Sequence, residues 1–277
     1  MTRKQTLAKE VRFSGVGIHS GKSVNLSLLP SLAGEIVFRR RDLNGLEISL
    51  DPENKGAENC SYLASAEGRI QTVEHLLAAL SACGVDSLVA EVDGPEIPIL
   101  DGSALPFVTA IRAAGRAALP HEKKILRVIK PFRLEDKDAS IAVEPAPEFR
   151  VSYGIEFDHP AIGRQEIDIR VTEDSFVREI APARTFGFLR DVPELRRRGL
   201  ALGGSLDNAL VLDDEKVLNG PLRFPDEYVR HKVGDFIGDL YFLGCPVLGR
   251  FRAHKAGHRL HLETVDFLLR RPDVRAF

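Results

Sequence analysis

Residues 229–240 constrain this chain more than any other stretch, because two different patterns share one helix. Val229, Val233, Phe236, Ile237 and Leu240 recur at helical spacing and form an apolar stripe. His231, Asp235 and Asp239 recur every four residues on another side, at roughly 200°, 240° and 280° when counted from Val229 at 100° per residue. The helix is therefore expected to bury the stripe and to turn the three polar residues away from the core. A histidine and a carboxylate at i and i+4 stand one turn apart, a spacing that suits two ligands of one metal ion. A solvated ion pair uses the same spacing, and the pattern alone weighs the two evenly. Gly234 and Gly238 flank these residues. Glycine inside a helix costs about 1 kcal/mol against alanine, and these two are expected to leave open space that a substrate could use.

A second helix is expected over 72–82, with Val73, Leu76, Leu77 and Leu80 on one side and Gly84 as its stop. His75 lies about 200° from Val73, off the apolar side, and Glu74 immediately precedes it. His75, His231 and Asp235 together offer three protein ligands with a fourth position open. That is the arrangement of catalytic zinc sites, where bound water reaches a pKa of about 7. Glu74 is then a candidate general base, although an acid at a helix start also favours the helix dipole. A third segment, 251–261, carries His254, His258 and His261. Gly257 permits an unusual backbone angle just before His258, and a histidine on such a turn can act as a general acid. Spacing does not choose among the three histidines.

The rest of the chain narrows the class. Its 277 residues allow one large or two medium domains, and 44% apolar residues are enough for a core. A net charge of −2 implies no general affinity for nucleic acid. Cys60, Cys83 and Cys245 are unevenly spaced without a C-x-x-C pair, which points to a reducing compartment. No apolar h-region follows the N-terminal Met-Thr-Arg-Lys-Gln, and no run reaches the roughly eighteen apolar residues of a membrane span. A cytoplasmic protein without an integral membrane segment is expected. There is no Walker motif and no G-x-G-x-x-G after a strand, so neither ATP nor a dinucleotide is implied.

The order of elements repeats. Strands are expected over 3–50, a helix at 72–82, a strand at 87–93 and a helix at 106–118. A polar linker is expected near 119–124. Strands again fill 125–171, helices are expected at 174–180 and 225–243, then a strand at 247–253 and a last helix at 262–270. The reading is an α+β fold of two similar domains, 1–121 and 122–277, each a sheet layered with helices. Glu74 and His75 fall in the first, and His231, Asp235 and His258 in the second. An insertion at about 191–212 reads as helix, glycine-rich turn and strand. Leu195, Leu200, Leu202, Leu210 and Val211 are its apolar residues, and Arg196, Arg197 and Arg198 read as a solvated helix face.

Seven runs, taken in order, resemble one family. They are 15–22 (Gly-Val-Gly-Ile-His-Ser-Gly-Lys), 72–76 (Thr-Val-Glu-His-Leu), 95–103 (Pro-Glu-Ile-Pro-Ile-Leu-Asp-Gly-Ser), 183–188 (Ala-Arg-Thr-Phe-Gly-Phe), 202–205 (Leu-Gly-Gly-Ser), 229–232 (Val-Arg-His-Lys) with Asp235 and Asp239, and 255–258 (Lys-Ala-Gly-His). Together they resemble the UDP-3-O-acyl-N-acetylglucosamine deacetylases, zinc amidases that commit the lipid A pathway in Gram-negative bacteria. The resemblance spans essentially the whole chain. It implies helices packed between the two sheets and a site drawing on both halves.

The resemblance also implies roles. His75, His231 and Asp235 match the ligands of Zn²⁺, a site that Fe²⁺ can also occupy. Glu74 matches the general base, His258 the second acid/base group, and Asp239 the carboxylate that orients it. Thr185 matches a hydroxyl that holds the oxyanion, while Lys232 and Phe186 match substrate contacts. The insertion matches a passage for the acyl chain, with Gly203 as a contact position. UDP-3-O-acyl-N-acetylglucosamine is the implied substrate, and a monomer is expected. His254 and Ala256 stand where the family pattern carries tyrosine and serine, and the C-terminal tail is short. Two other readings stay open on the sequence alone. One is a zinc hydrolase of another amide, such as a peptidase; the other is a non-catalytic protein that binds a lipid-like sugar nucleotide.

Overall fold

The computed structural model describes residues 2–277. The first half carries a five-stranded sheet in the spatial order Val11–Val16, Ser23–Pro30, Leu88–Val92, Ile36–Arg40 and Leu46–Ser49. Alternation explains how it seats itself: Val24, Leu26 and Leu28 point inward and are fully buried, while their neighbours in the strand face outward. Two helices accompany this sheet, α1 (Glu74–Ala82) and α2 (Leu105–Ala114). A small antiparallel sheet of Lys55–Ala57, Ser61–Ala64 and Arg69–Gln71 leads into α1.

The second half is built around the strand Val247–His254. It pairs antiparallel with Ala139–Glu144 and parallel with Phe149–Phe157. Its helices are the single turn α3 (Glu173–Ser175), which runs on into a π-helical turn over Phe176–Ile180, then α4 (Val192–Arg197), α5 (Glu227–Leu240) and α6 (His258–Arg270). The expected mixed α+β architecture is present, and the buried apolar side chains of both halves join in one core.

Several local expectations are corrected. The polar stretch at 119–124 is no linker: Arg116–Glu122 is a strand paired with Arg3–Leu7. Accordingly α2 stops at Ala114 rather than at residue 118, with Gly115 at its end in a positive-φ conformation. The last helix starts at His258, four residues before the expected 262. Gly257 does not use a glycine-specific angle, since its φ of −138° is extended backbone; Lys255 takes the positive φ instead.

The largest correction concerns α5. Its apolar stripe is buried as expected, but His231, Asp235 and Asp239 are buried too, none more than 5% exposed. Periodicity identified two faces, and the fold covers both. The second face meets α1, and Gly238 is the point of closest approach. A Cβ there would lie 2.1 Å from the backbone oxygen of Glu74. Gly238 is therefore a helix-crossing residue and not open space for a substrate. At Gly234 an added Cβ would meet only Ile180, at an ordinary 3.5 Å.

The two glycines should respond oppositely to alanine. Gly238→Ala should destabilise the protein by about 3 kcal/mol or more, the upper end for overpacking, because the obstacle is backbone. Gly234→Ala should be neutral or stabilise by up to about 1 kcal/mol. Urea denaturation of both variants measures this, and equal effects would contradict the crossing described here.

Candidate metal centre and active-site cleft

The close crossing of α1 and α5 brings the first turn of α1 against the middle of α5. A cleft of about 850 Å³ opens beside it. Glu74 and His75 from α1, His231, Lys232 and Asp235 from α5, His258 from α6, and Thr185 and Phe186 from the connecting segment all line it. Eight of the ten residues singled out in the sequence thus share one cavity. Asp239 lies behind the wall, bonded to His258, and Gly203 is not in the lining.

His75, His231 and Asp235 present ligand atoms that lie within 4.8 Å of one another. Nε2 of His75 is 3.6 Å and Nε2 of His231 is 3.3 Å from Oδ1 of Asp235. That carboxylate oxygen is buried and has no hydrogen-bond partner. Burying an oxygen anion without donors is costly, and a cation offsets the cost. Nδ1 of His231 donates to the carbonyl of Ala183 at 3.2 Å, which leaves Nε2 free as a ligand atom. Burial pushes the His231 pKa down to about 3, so its imidazole is neutral. Burial works against ionisation of Asp235, yet the neighbouring His231 ring, the Lys232 ammonium and the hydrogen bond from His75 hold its pKa well below the usual carboxylate range. Burial works against protonation of His75, but the hydrogen bond and charge of Asp235 and the charge of Glu74 raise its pKa, so a metal bound at His75 displaces a proton. With that proton gone, two imidazoles and one carboxylate form a donor set that fits a divalent metal.

Glu74 is buried beside this cluster, and one carboxylate oxygen accepts from the backbone N–H of Ser61 at 3.2 Å. Burial raises its pKa to about 7, close to the range in which a general base works. His258 sits at the N-terminus of α6, and its Nδ1 donates to Oδ2 of Asp239 at 2.7 Å. Burial alone would lower its pKa, but the charge and hydrogen bond of Asp239 outweigh that and lift it to about 9. The two groups thus divide near neutral pH, with Glu74 able to accept a proton and His258 holding one.

This division is measurable on the metal-free protein by imidazole NMR. His258 should titrate with a midpoint near 9. Asp239→Asn should move that midpoint down by more than one unit, since burial would then act without its main opponent. An unmoved midpoint would mean that Asp239 is not what holds the proton on His258.

The remaining candidates have defined surroundings. Thr185 is held at both sides, its N–H donating to Gly102 and its carbonyl accepting from Leu210, each at 2.8 Å. Lys232 donates to Oδ2 of Asp235 at 2.9 Å and lies 5.7 Å from the centre of the Phe186 ring. Phe186 also packs edge-on against Phe157 and Tyr228. Gly203 belongs to packing rather than to the cleft: an added Cβ would lie 2.3 Å from the carbonyl of Gly17. A bulky residue there would push the insertion off the first half, so it cannot isolate an effect on acyl-chain binding.

The insertion is helix, turn and strand as expected, and its strand Leu210–Leu212 runs parallel to Phe186–Phe188. Leu195 and Val211 line the cleft, together with Leu189 and Leu206. Leu210 is buried in the core and Leu202 is exposed. Arg196 and Arg198 reach the cleft, and Arg198 pairs with Glu58 at 3.0 Å. Arg197 stays outward on Glu194.

Some residues of the site received no role from the sequence. Ser61 donates its hydroxyl to Oδ1 of Asp239. His19 lines the cleft with a buried Nδ1 that has no partner, on a loop whose amides at His19 and Ser20 donate to Glu96. The 15–22 run containing His19 was the one signal pointing to it. Among the three clustered histidines the structure decides clearly. His258 lines the cleft, His261 is fully buried behind Asp239, and His254 stands half-buried at the end of the central strand Val247–His254, outside the cleft.

Comparison with known proteins agrees with this geometry. Residues 4–270 match the profile of the family described as UDP-3-O-acyl N-acetylglycosamine deacetylase. The UDP-3-O-acyl-N-acetylglucosamine deacetylase of Acidithiobacillus ferrooxidans is 46% identical over 283 residues, spanning 100% of this chain and 93% of that protein. The enzyme of the same name from Aliivibrio fischeri is 47% identical over 276 residues, covering 97% and 90%. That from Saccharophagus degradans is 43% identical over 280 residues, covering 99% and 92%.

Proposed function

This chain belongs to the UDP-3-O-acyl N-acetylglycosamine deacetylase family, and from that premise we propose how its residues remove acetate from UDP-3-O-acyl-N-acetylglucosamine in lipid A synthesis. The observation that carries the reading is the placement of a buried carboxylate and a protonated imidazole around one three-ligand cluster. The metal is proposed as Zn²⁺ on His75, His231 and Asp235, with Fe²⁺ able to use the same donors. When bound there, the ion supplies Lewis-acid charge to a water and to the amide carbonyl oxygen.

The chain's own residues do the rest. Glu74 takes the proton of the attacking water. The hydroxyl of Thr185 donates to the carbonyl oxygen as negative charge develops on it, the kind of preorganised donor that stabilises an oxyanion. As the C–N bond breaks, His258 gives the proton on Nε2 to the departing amine of the sugar, and Asp239 keeps the imidazole charged and oriented until then. Lys232 and Phe186 form the wall that the sugar nucleotide meets. The apolar side of the cleft, with Phe188, Leu195, Leu206 and Val211, suits the 3-O-acyl chain. The protein works in the cytoplasm as a monomer of two domains, 1–121 and 122–277.

The test is acetate release by the purified, metal-loaded protein. UDP-3-O-acyl-N-acetylglucosamine should be turned over, while the same sugar nucleotide without its acyl chain and an N-acetylated peptide should be poor substrates. Turnover of the peptide at an equal or higher kcat/KM would overturn the substrate assignment. A chelator should abolish the activity, and added Zn²⁺ should restore it.

A further inference from the structure

Behind the cleft, Asp239 collects more hydrogen bonds than orienting one histidine needs. Its Oδ2 accepts from Nδ1 of His258 and from Nδ1 of His261, each at 2.7 Å, and its Oδ1 accepts from the Ser61 hydroxyl. His258 and His261 are three residues apart on α6, so one helix face offers both rings to one carboxylate. The far side of His261 is also engaged. Its Nε2 is 2.9 Å from the hydroxyl of Tyr153, whose single proton is shared between that nitrogen and the carbonyl of Ala256 at 2.7 Å. Asp239, His261 and Tyr153 are all at most 1% exposed.

These bonds close on themselves. From His258 the path runs to Asp239, His261, Tyr153 and Ala256, and Ala256 lies two residues before His258. The same short connection is held a second time, because the N–H of Lys255, at positive φ, donates to the carbonyl of Gly154 beside Tyr153. The strand Phe149–Phe157 therefore grips the chain on which His258 is mounted, and the ring grips the imidazole itself. A side chain held from both its backbone and its Nδ1 has little freedom to rotate Nε2 away from the cleft. Outer partners that orient metal-ligating side chains are worth about 10–100-fold, and the same order is expected for partners that orient an acid beside the metal.

We propose that Tyr153 and His261 are positioning residues, which through Asp239 and the Ala256 carbonyl fix the orientation of the His258 imidazole. The inference rests on the role given to His258 above. It is tested on the metal-loaded full chain with Tyr153→Phe, His261→Leu and His261→Asn, each alone and combined with His258→Ala. Tyr153→Phe removes one oxygen and keeps the ring packing. It should lower kcat about tenfold, with KM and metal content unchanged. His261→Leu should lower kcat by about a hundredfold, and His261→Asn, whose amide still donates to Asp239, should recover most of that loss. In the His258→Ala background Tyr153→Phe should cost nothing further, because its effect runs through the missing ring.

Wild-type kcat in Tyr153→Phe overturns the proposal, as does an equal loss with and without His258. Should His261→Leu fail to fold, Tyr153→Phe and His261→Asn decide. Full activity of His258→Ala would instead refute the role of His258. The ring is then judged on the metal-free protein by NMR. Nδ1 protons of His258 and His261 that exchange slowly in the wild type and faster in Tyr153→Phe support it, and unchanged exchange overturns it.

Discussion

Replacing His75, His231 or Asp235 with alanine is expected to abolish acetate release and to leave the purified protein without stoichiometric metal. The expectation follows from the cluster itself. Three ligand atoms converge within 4.8 Å, and the buried Oδ1 of Asp235 has no other partner. Removing any one of them leaves two donors, too few to hold a divalent ion tightly. Asp235→Ala carries a second penalty, because Lys232 loses the carboxylate it donates to. Stranding one member of a buried ion pair costs about 3–5 kcal/mol, a figure to be discounted here because the Lys232 side chain is 22% exposed. The check is elemental analysis of each variant beside a thermal melt with and without added Zn²⁺. Metal should raise the melting temperature of the wild type and of none of the three variants. Full metal occupancy in all three would refute the ligand set.

Glu74→Gln is expected to separate chemistry from metal binding. The amide keeps the shape of the side chain, and its oxygen can still accept from the Ser61 N–H. It cannot accept a proton from water. The variant should keep its metal and lose about 10²–10⁴ in kcat, the usual worth of a positioned acid or base. The comparison works because Glu74 and His75 are adjacent in sequence yet face different partners. His75 points Nε2 at Asp235, whereas Glu74 is held by Ser61. Loss of metal from Glu74→Gln would make Glu74 a ligand and reopen the choice of base.

These two experiments address residues that are legible in the sequence alone. The i,i+4 spacing of His231 and Asp235 sets them one helical turn apart in any fold that keeps the helix. Glu74 and His75 are neighbours by covalent structure. The insertion, too, is readable as helix, turn and strand from its own composition. Less legible is everything that depends on which surface covers which. Gly238 reads as room for a ligand, and it is where two helix backbones nearly touch. Gly203 reads as a contact position for a lipid, and it packs on Gly17.

The order of residues along the chain sets the chemical inventory and its local geometry: two helices with ligand-bearing faces, an acid before a histidine, and a third segment rich in histidine. Helical periodicity is a short-range property, so it survives whatever the rest of the chain does. Long-range packing is what buries the polar face of α5 against α1 and brings His258, rather than His254 or His261, to the cleft. Packing also decides that Asp239 holds Ser61 and His261 besides His258, with Tyr153 on the far side of His261. Those outcomes depend on contacts between residues far apart along the chain, and no spacing within one helix records what will be packed against it.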